Sequence, residues 1–200
     1  MRWLALYLRS RRVPIALAAA AGSTTVMWSL WSIFSNEREV GAPMVILTVL
    51  LLVAAITATL AGPDDALERT AALSWPPRRA AHLLAALAVV AGLLLATLVT
   101  GARFGPAWLV IRDAAGLLGL TALGAVTIGA TRSWFLPLGW TLASIVFPLS
   151  GVKSSEILTW QSQIPGNKTA AVTAALLGVG GLIAYAVAGP ARRAPAEAAL

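Results

Sequence analysis

Six long apolar runs, separated by short polar segments, dominate the hydrophobic pattern of this chain. They cover about residues 13–34, 41–62, 80–100, 107–130, 133–150 and 169–189. Each is close to the ~20 residues with which an α-helix crosses ~30 Å of hydrocarbon, and none shows the alternation of a β-barrel strand. Because lipid offers no hydrogen-bond partner to a bare backbone, such runs must be helical. The pattern therefore predicts an all-α integral membrane protein, with residues 1–200 forming one transmembrane domain of six helices.

The composition strengthens this prediction and removes several classes of chemistry. The 200 residues are 58% apolar and 12% charged, with a mean hydropathy of +0.81, whereas soluble domains carry about 25% charged residues. The chain contains no cysteine and one histidine. A disulfide framework, an iron–sulfur site, a thiol nucleophile and a histidine-based metal cluster are therefore excluded.

The distribution of Lys and Arg predicts the orientation of the six spans. Drawing the spans places ten basic residues on one side: Arg2, Arg9, Arg11, Arg12, Arg69, Arg78, Arg79, Arg132, Arg192 and Arg193. Five fall on the other side: Arg38, Arg103, Arg112, Lys153 and Lys168. The positive-inside rule then puts both termini, including the 190–200 tail, in the cytoplasm. The net charge of +7 is thus assigned to lipid headgroups and not to nucleic acid.

Residues 1–12 precede the first span and have two interpretations. Arg2, Arg9 and Arg12 cluster on one side of a helical projection, as in a short amphipathic helix that lies in the headgroup layer. The alternative is an ordinary basic flank of the first span. Because the apolar run continues as far as Phe34, beyond the length of a signal-peptide core, we expect this segment to remain uncleaved.

The loop over residues 63–79 contains the signals of a short cytoplasmic helix. Asp65 is placed to cap it, Glu68 completes a capping box, and Pro76 and Pro77 end it. A helix of two or three turns is marginal in water, so this one should pack against something. The sequence leaves open whether that is a cytosolic partner or the protein's own spans and headgroups.

Residues 151–167 form a second unusual segment, on the outer side. Ser154 or Ser155 is placed to cap a short helix that continues to Gln163 and ends before Pro165 and Gly166. Trp160 within it suits a membrane interface. The segment is predicted to be either an interfacial helix that shapes an exit or a plain surface loop.

Polar and small residues recur on three of the spans. Thr25, Ser29 and Ser32 form a polar stripe along the first span, which either lines a route between helices or serves interhelical packing. The fourth and sixth spans carry small residues that predict close packing faces: Thr121, Ala125, Gly129, Gly178, Gly180 and Gly181.

Motifs for catalysis or ion coupling do not occur in the sequence. There is no His-Glu-x-x-His, no serine elbow and no P-loop, so we expect a non-catalytic chain that binds no ATP. The adjacent charges Arg112 and Asp113 lie near the outer end of the fourth span. Because neighbours in a helix point in different directions, we expect these two residues to pair with other spans or with headgroups in preference to each other. His82 is expected to be an interfacial residue at the start of the third span.

These features together resemble the small permease subunits of ATP-binding-cassette (ABC) exporters of the drug-, peptide- and polysaccharide-export type. Three stretches carry the likeness: residues 66–71 (Ala-Leu-Glu-Arg-Thr-Ala), 78–84 (Arg-Arg-Ala-Ala-His-Leu-Leu) and 112–119 (Arg-Asp-Ala-Ala-Gly-Leu-Leu-Gly). The likeness extends over nearly the whole chain, but it is one of hydropathy and loops, without an invariant signature.

The resemblance implies a division of labour between chains. A separate ATPase subunit would bind ATP and magnesium, and the 63–79 loop would couple to it through Asp65, Leu67, Glu68 and Arg69. A second permease chain, identical or related, would complete the route, with Thr25, Ser29 and Ser32 lining it between the first, second and fifth spans. The cargo implied is an amphipathic, lipid-like or peptide molecule, and the location a bacterial inner membrane. A scaffold or assembly protein without a transport cycle, or a channel or secondary carrier, are the alternative functions.

Overall fold

The computed structural model describes residue 6 and residues 8–60, 75–147 and 152–191. The regular structure in these ranges is helical, apart from one isolated bridge between Glu39 and Arg103. The prediction of an all-helical fold is confirmed for this part of the chain. The loop residues Asp65, Leu67, Glu68 and Arg69 lie outside the described residues.

Besides the helical residues 8–10, seven α-helices and two 3₁₀ turns are present in the described ranges. The helices are α1 (Val13–Phe34), α2 (Ala42–Thr57), α3 (Trp75–Thr97), α4 (Ala107–Ile128), α5 (Phe135–Val146), α6 (Lys153–Leu158) and α7 (Lys168–Ala188). The turns are Ala130–Arg132 and Trp160–Ser162. Each of the six predicted spans thus contains one helix, and α6 lies in the segment between the last two.

Four of these helices are long and apolar enough to cross a membrane, namely α1, α3, α4 and α7, with 21 to 23 residues each. The helix α2 has 16 residues and α5 has 12, or roughly 24 and 18 Å at 1.5 Å per residue. The helix α5 is short for a local reason. Gly129, with φ of 89°, ends α4 ahead of a 3₁₀ turn, and Phe147 is already extended before Pro148.

Large apolar side chains cover much of the outer surface of the bundle. Ile15 and Ile33 on α1, and Leu176 and Val187 on α7, are each about 70% exposed. Soluble proteins rarely expose contiguous apolar patches of this kind. Together with the four long helices, this surface identifies a membrane protein.

The helix α4 forms the centre of the bundle. In its most apolar stretch 78% of the residues are buried, against 17% in α1. The helices α2, α3, α5 and α7 all pack on α4, whereas α1 packs on α2 and α3 at the periphery.

Glycines bring α4 and α7 into backbone contact. A Cβ added at Gly119 would overlap the backbone of Leu177, and one at Gly181 would overlap the backbone of Gly119. The predicted packing faces are confirmed in part. Thr121 and Ala125 are fully buried, but Gly129 ends α4, and Gly180 has nothing within 4 Å of its added Cβ.

At each end of the bundle, a hydrogen bond joins segments that are distant in sequence. At one end, the backbones of Val40 and Arg103 join the α1–α2 and α3–α4 loops by a 2.8 Å hydrogen bond. At the other end, Tyr185 on α7 donates its hydroxyl to the carbonyl of Leu60, at 2.8 Å. There the guanidinium of Arg79 lies against Gly189, beside the C-terminus of α7, where a cation is favoured.

Candidate functional site

The polar stripe of α1 faces away from the core of the chain. Thr25 and Ser32 are exposed and Ser29 is half-buried. The hydroxyl of Thr25 donates to the carbonyl of Ala21 at 2.9 Å. Because this bond satisfies the hydroxyl within its own helix, exposing Thr25 to an apolar environment costs little free energy. The neighbouring Thr24, in contrast, is buried in the bundle. In the part of the chain that the structure describes, Thr25 and Ser32 therefore face outward from the bundle.

Two tryptophans hold α1 in this orientation. The indole Nε1 of Trp28 donates to the Thr100 hydroxyl at 2.9 Å, which ties α1 to the end of α3. The Nε1 of Trp31 donates to the carbonyl of Glu37 at 2.7 Å. Tryptophan pairs an apolar ring with one donor, so it satisfies packing and hydrogen bonding together. The contact between Trp28 and Thr100 cannot be predicted from the sequence, because the two residues lie 72 positions apart.

A buried charged cluster lies near the start of α4. Arg112 is 3% exposed and Asp113 is fully buried. The Nε atom of Arg112 donates to Oδ1 of Asp113 at 2.9 Å. The expectation that these two residues would not pair with each other is therefore wrong. The long arginine side chain folds back along its own helix, so sequence neighbours meet although their Cβ atoms diverge.

Arg112 also binds the backbone of the segment between α6 and α7. Its Nη2 atom donates to the carbonyl of Gln161 at 3.0 Å, and its Nη1 atom to the carbonyls of Gln163 and Ile164 at 3.1 and 3.3 Å. One planar guanidinium thus satisfies three carbonyls and a carboxylate oxygen. The expected partners were other spans or headgroups; the partners outside α4 are instead backbone carbonyls of the segment between α6 and α7.

Trp160 is the other fixed point of this segment. It is fully buried, and a Cβ at Gly116 would overlap its ring. The assignment of Trp160 to the membrane interface is therefore wrong. Because Gly116 has no side chain, it leaves space on α4 that the Trp160 ring fills. A contact between two residues so far apart in the chain cannot be predicted from the sequence.

The helix in this outer segment is shorter than predicted. The helix α6 ends at Leu158, and the 3₁₀ turn Trp160–Ser162 follows it. Its N-cap is Val152, without a side-chain cap, so neither Ser154 nor Ser155 has the capping role assigned to it. The segment is nevertheless anchored, because Nε1 of Trp140 on α5 donates to the carbonyl of Leu158 at 2.9 Å.

His82 lies at the opposite end of the bundle, between α3 and the end of α2. Its Nε2 atom is 3.0 Å from the Thr59 hydroxyl, which itself donates to the carbonyl of Ile56 at 2.7 Å. Because the Thr59 hydroxyl donates its one hydrogen to the carbonyl of Ile56, it is an acceptor for the tautomer of His82 that carries a proton on Nε2. In the described ranges no group of three or more His, Asp or Glu residues is arranged to hold a metal ion.

Comparisons with protein-family profiles, with curated proteins and with solved structures give no match for this chain.

Proposed function

We propose that this chain is the permease subunit of an ABC exporter, driven by a separate ATPase subunit that binds ATP and magnesium. One observation carries the proposal furthest: on the least buried long helix, α1, Thr25 and Ser32 are exposed and Ser29 between them is half-buried. A polar stripe in lipid favours contact with another helix over contact with acyl chains. The second helix would belong to another permease chain, identical or related.

The proposal counts all six apolar runs as spans, with α2 and α5 as the short members. Residues 58–60 and 133–134 extend these two helices as turns, and local thinning of the bilayer accommodates a short span at modest cost. Both termini then lie in the cytoplasm of a bacterial cell, with the 63–79 loop on the same side. The exported molecule would be amphipathic, lipid-like or a peptide.

A photo-crosslinking experiment tests the predicted role of α1. The photoreactive residue p-benzoylphenylalanine is placed at Ser32 and, as a matched control, at Val187, which is also exposed but lies on α7. We expect Ser32 to yield adducts whose mass identifies a second permease chain, and Val187 to yield lipid adducts. Lipid adducts alone at Ser32, with the chain intact in its native membrane, would contradict a pairing through this face.

Charge reversal in the loop tests the coupling to an ATPase. In inside-out vesicles, Glu68→Arg is expected to reduce ATP-driven accumulation of fluorescent amphiphiles by about tenfold, which corresponds to ~1.4 kcal/mol of interface free energy. The same reversal at Glu37, an exposed residue of the α1–α2 loop, serves as the control and is expected to have no effect. Normal accumulation with normal ATP hydrolysis in Glu68→Arg would refute the assigned role of the loop.

A membrane scaffold without a transport cycle is the second candidate, and one observation favours it. The guanidinium of Arg112 is bound by Asp113 and by the carbonyls of the 161–164 segment, and both residues are buried, as expected of charges that hold the fold together. If no ATPase subunit accompanies the chain from its native membrane, the scaffold becomes the better account.

A further inference from the structure

A cavity of about 100 Å³ lies where α1, α2 and α3 meet, at the end of the bundle that carries His82. Its wall is largely apolar and is formed by Leu8, Val13, Leu17, Ile56, Ala85 and Val89. A somewhat larger apolar cavity, of ~150 Å³, accepts a benzene-sized molecule. The space therefore suits a short hydrocarbon segment.

The two polar residues of the cavity wall are hydrogen-bonded within the protein. His82 and Thr59 both border the cavity, but they bond to each other, and the Thr59 hydroxyl donates its hydrogen bond to the carbonyl of Ile56. Their mutual bonding leaves the cavity a mainly apolar environment. The part of a ligand that enters it should therefore be hydrocarbon.

Positive charge adjoins this apolar wall. Leu8 is followed in the chain by Arg9, and Val13 is preceded by Arg12, and both arginines are exposed. Arg12 has a φ of 55°, so the chain turns between the helical residues 8–10 and the start of α1. Leu8 and Val13 line the cavity on either side of that turn, and the exposed Arg9 and Arg12 are their neighbours in the chain.

We propose that this cavity binds an acyl chain of an anionic phospholipid, whose phosphate is held by Arg9 and Arg12. The apolar wall matches the chain, and the two guanidinium groups match the headgroup, since basic residues at the membrane surface attract anionic lipids. The site is distinct from the stripe on α1 and does not depend on transport activity.

Photolabelling of the full-length chain in phosphatidylcholine vesicles tests this site. The vesicles contain a trace of either phosphatidylglycerol or phosphatidylcholine with a diazirine on the same acyl chain. We expect phosphatidylglycerol to label peptides containing Leu8, Ala85 or Val89 about fivefold more than phosphatidylcholine does, as two basic side chains would favour. Equal labelling by the two lipids would overturn the proposal.

Two pairs of variants assign the labelling to this cavity. Ala85→Phe fills the space and should reduce labelling about fivefold, whereas Ala88→Phe, at another exposed position of α3, should not. Replacing Arg9 and Arg12 by Gln should abolish the lipid preference, and the same change at the exposed Arg38 and Arg103 should preserve it. Undiminished labelling in Ala85→Phe refutes the site. Competition of the wild-type chain with unlabelled phosphatidylglycerol provides the same test without a variant.

Discussion

Arg112 holds the segment between α6 and α7 by binding that segment's backbone carbonyls. Its guanidinium binds Asp113 and the carbonyls of Gln161, Gln163 and Ile164. A buried charge of this kind is tolerated when its hydrogen bonds are satisfied, and it becomes costly when a partner is lost. The cluster therefore stabilises one arrangement of α4 against the segment that precedes α7.

The stability of Arg112 variants measures this anchoring. Arg112→Leu leaves the Asp113 carboxylate buried without its cation and should destabilise the protein by ~3 kcal/mol. The double variant Arg112→Leu/Asp113→Leu removes both charges and should lose less stability than Arg112→Leu alone. Arg38→Leu, at an exposed position, is the control and should stay within ~0.5 kcal/mol of the wild type.

Thermal unfolding in one mild detergent, with all four proteins side by side, provides the comparison. A double variant that is less stable than Arg112→Leu would show that the carboxylate is not the costly group.

At the level of elements, the close approach of α4 and α7 depends on glycine. Gly119 of α4 lies against the backbone of Leu177, and Gly181 of α7 lies against the backbone of Gly119. Lipid gives little hydrophobic driving force for helix association, so van der Waals contact between backbones supplies much of it. A backbone, unlike the end of a flexible side chain, has no rotamer through which to avoid a new methyl group.

A pair of alanine substitutions separates this contact from helix propensity. Gly119→Ala introduces a methyl group into the Leu177 backbone and should cost ~2 kcal/mol of stability. Gly180→Ala, at a position open on α7, should be neutral or slightly stabilising, since alanine favours helix. Denaturation of both variants in the same detergent gives the difference, and equal stability would contradict the backbone contact.

The sequence predicted the helices better than their contacts. Six apolar runs each contain a helix, because the length and polarity of a run reflect its immediate environment. The shortness of α5 depends on Gly129, whose positive φ ends α4 and which was interpreted as a packing residue. The burial of Trp160 depends on the space left by Gly116, and a contact between residues so distant in sequence cannot be inferred from one chain.

For the predicted site residues too, the sequence predicted local placement but not packing. The spacing of Thr25, Ser29 and Ser32 was sufficient to place them on one side of α1, since helical periodicity is local. Their outward direction follows from the packing of α1 on α2 and α3, which the spacing does not specify. The assignment of coupling roles to the 63–79 loop stays a prediction.

For the whole molecule, the apolar exterior and four long apolar helices indicate a membrane protein, and the positive-inside rule predicts its orientation. Because the sequence has no cysteine, a single introduced cysteine reports its own location. We expect a cysteine at Ser10 to react with an impermeant maleimide only after the membrane is opened. A cysteine at Asn36, an exposed residue of the α1–α2 loop, should react in intact cells. The reverse pattern would invert the proposed orientation.

The most direct test of the central claim is purification of the tagged chain from its native membrane in mild detergent, followed by mass spectrometry. We expect a stoichiometric ATPase subunit whose ATP hydrolysis disappears when its own P-loop lysine is replaced. We also expect this subunit to be lost from the Glu68→Arg variant but retained by the Glu37→Arg variant. Recovery of the chain without any ATPase, in several detergents that preserve its fold, would contradict the account.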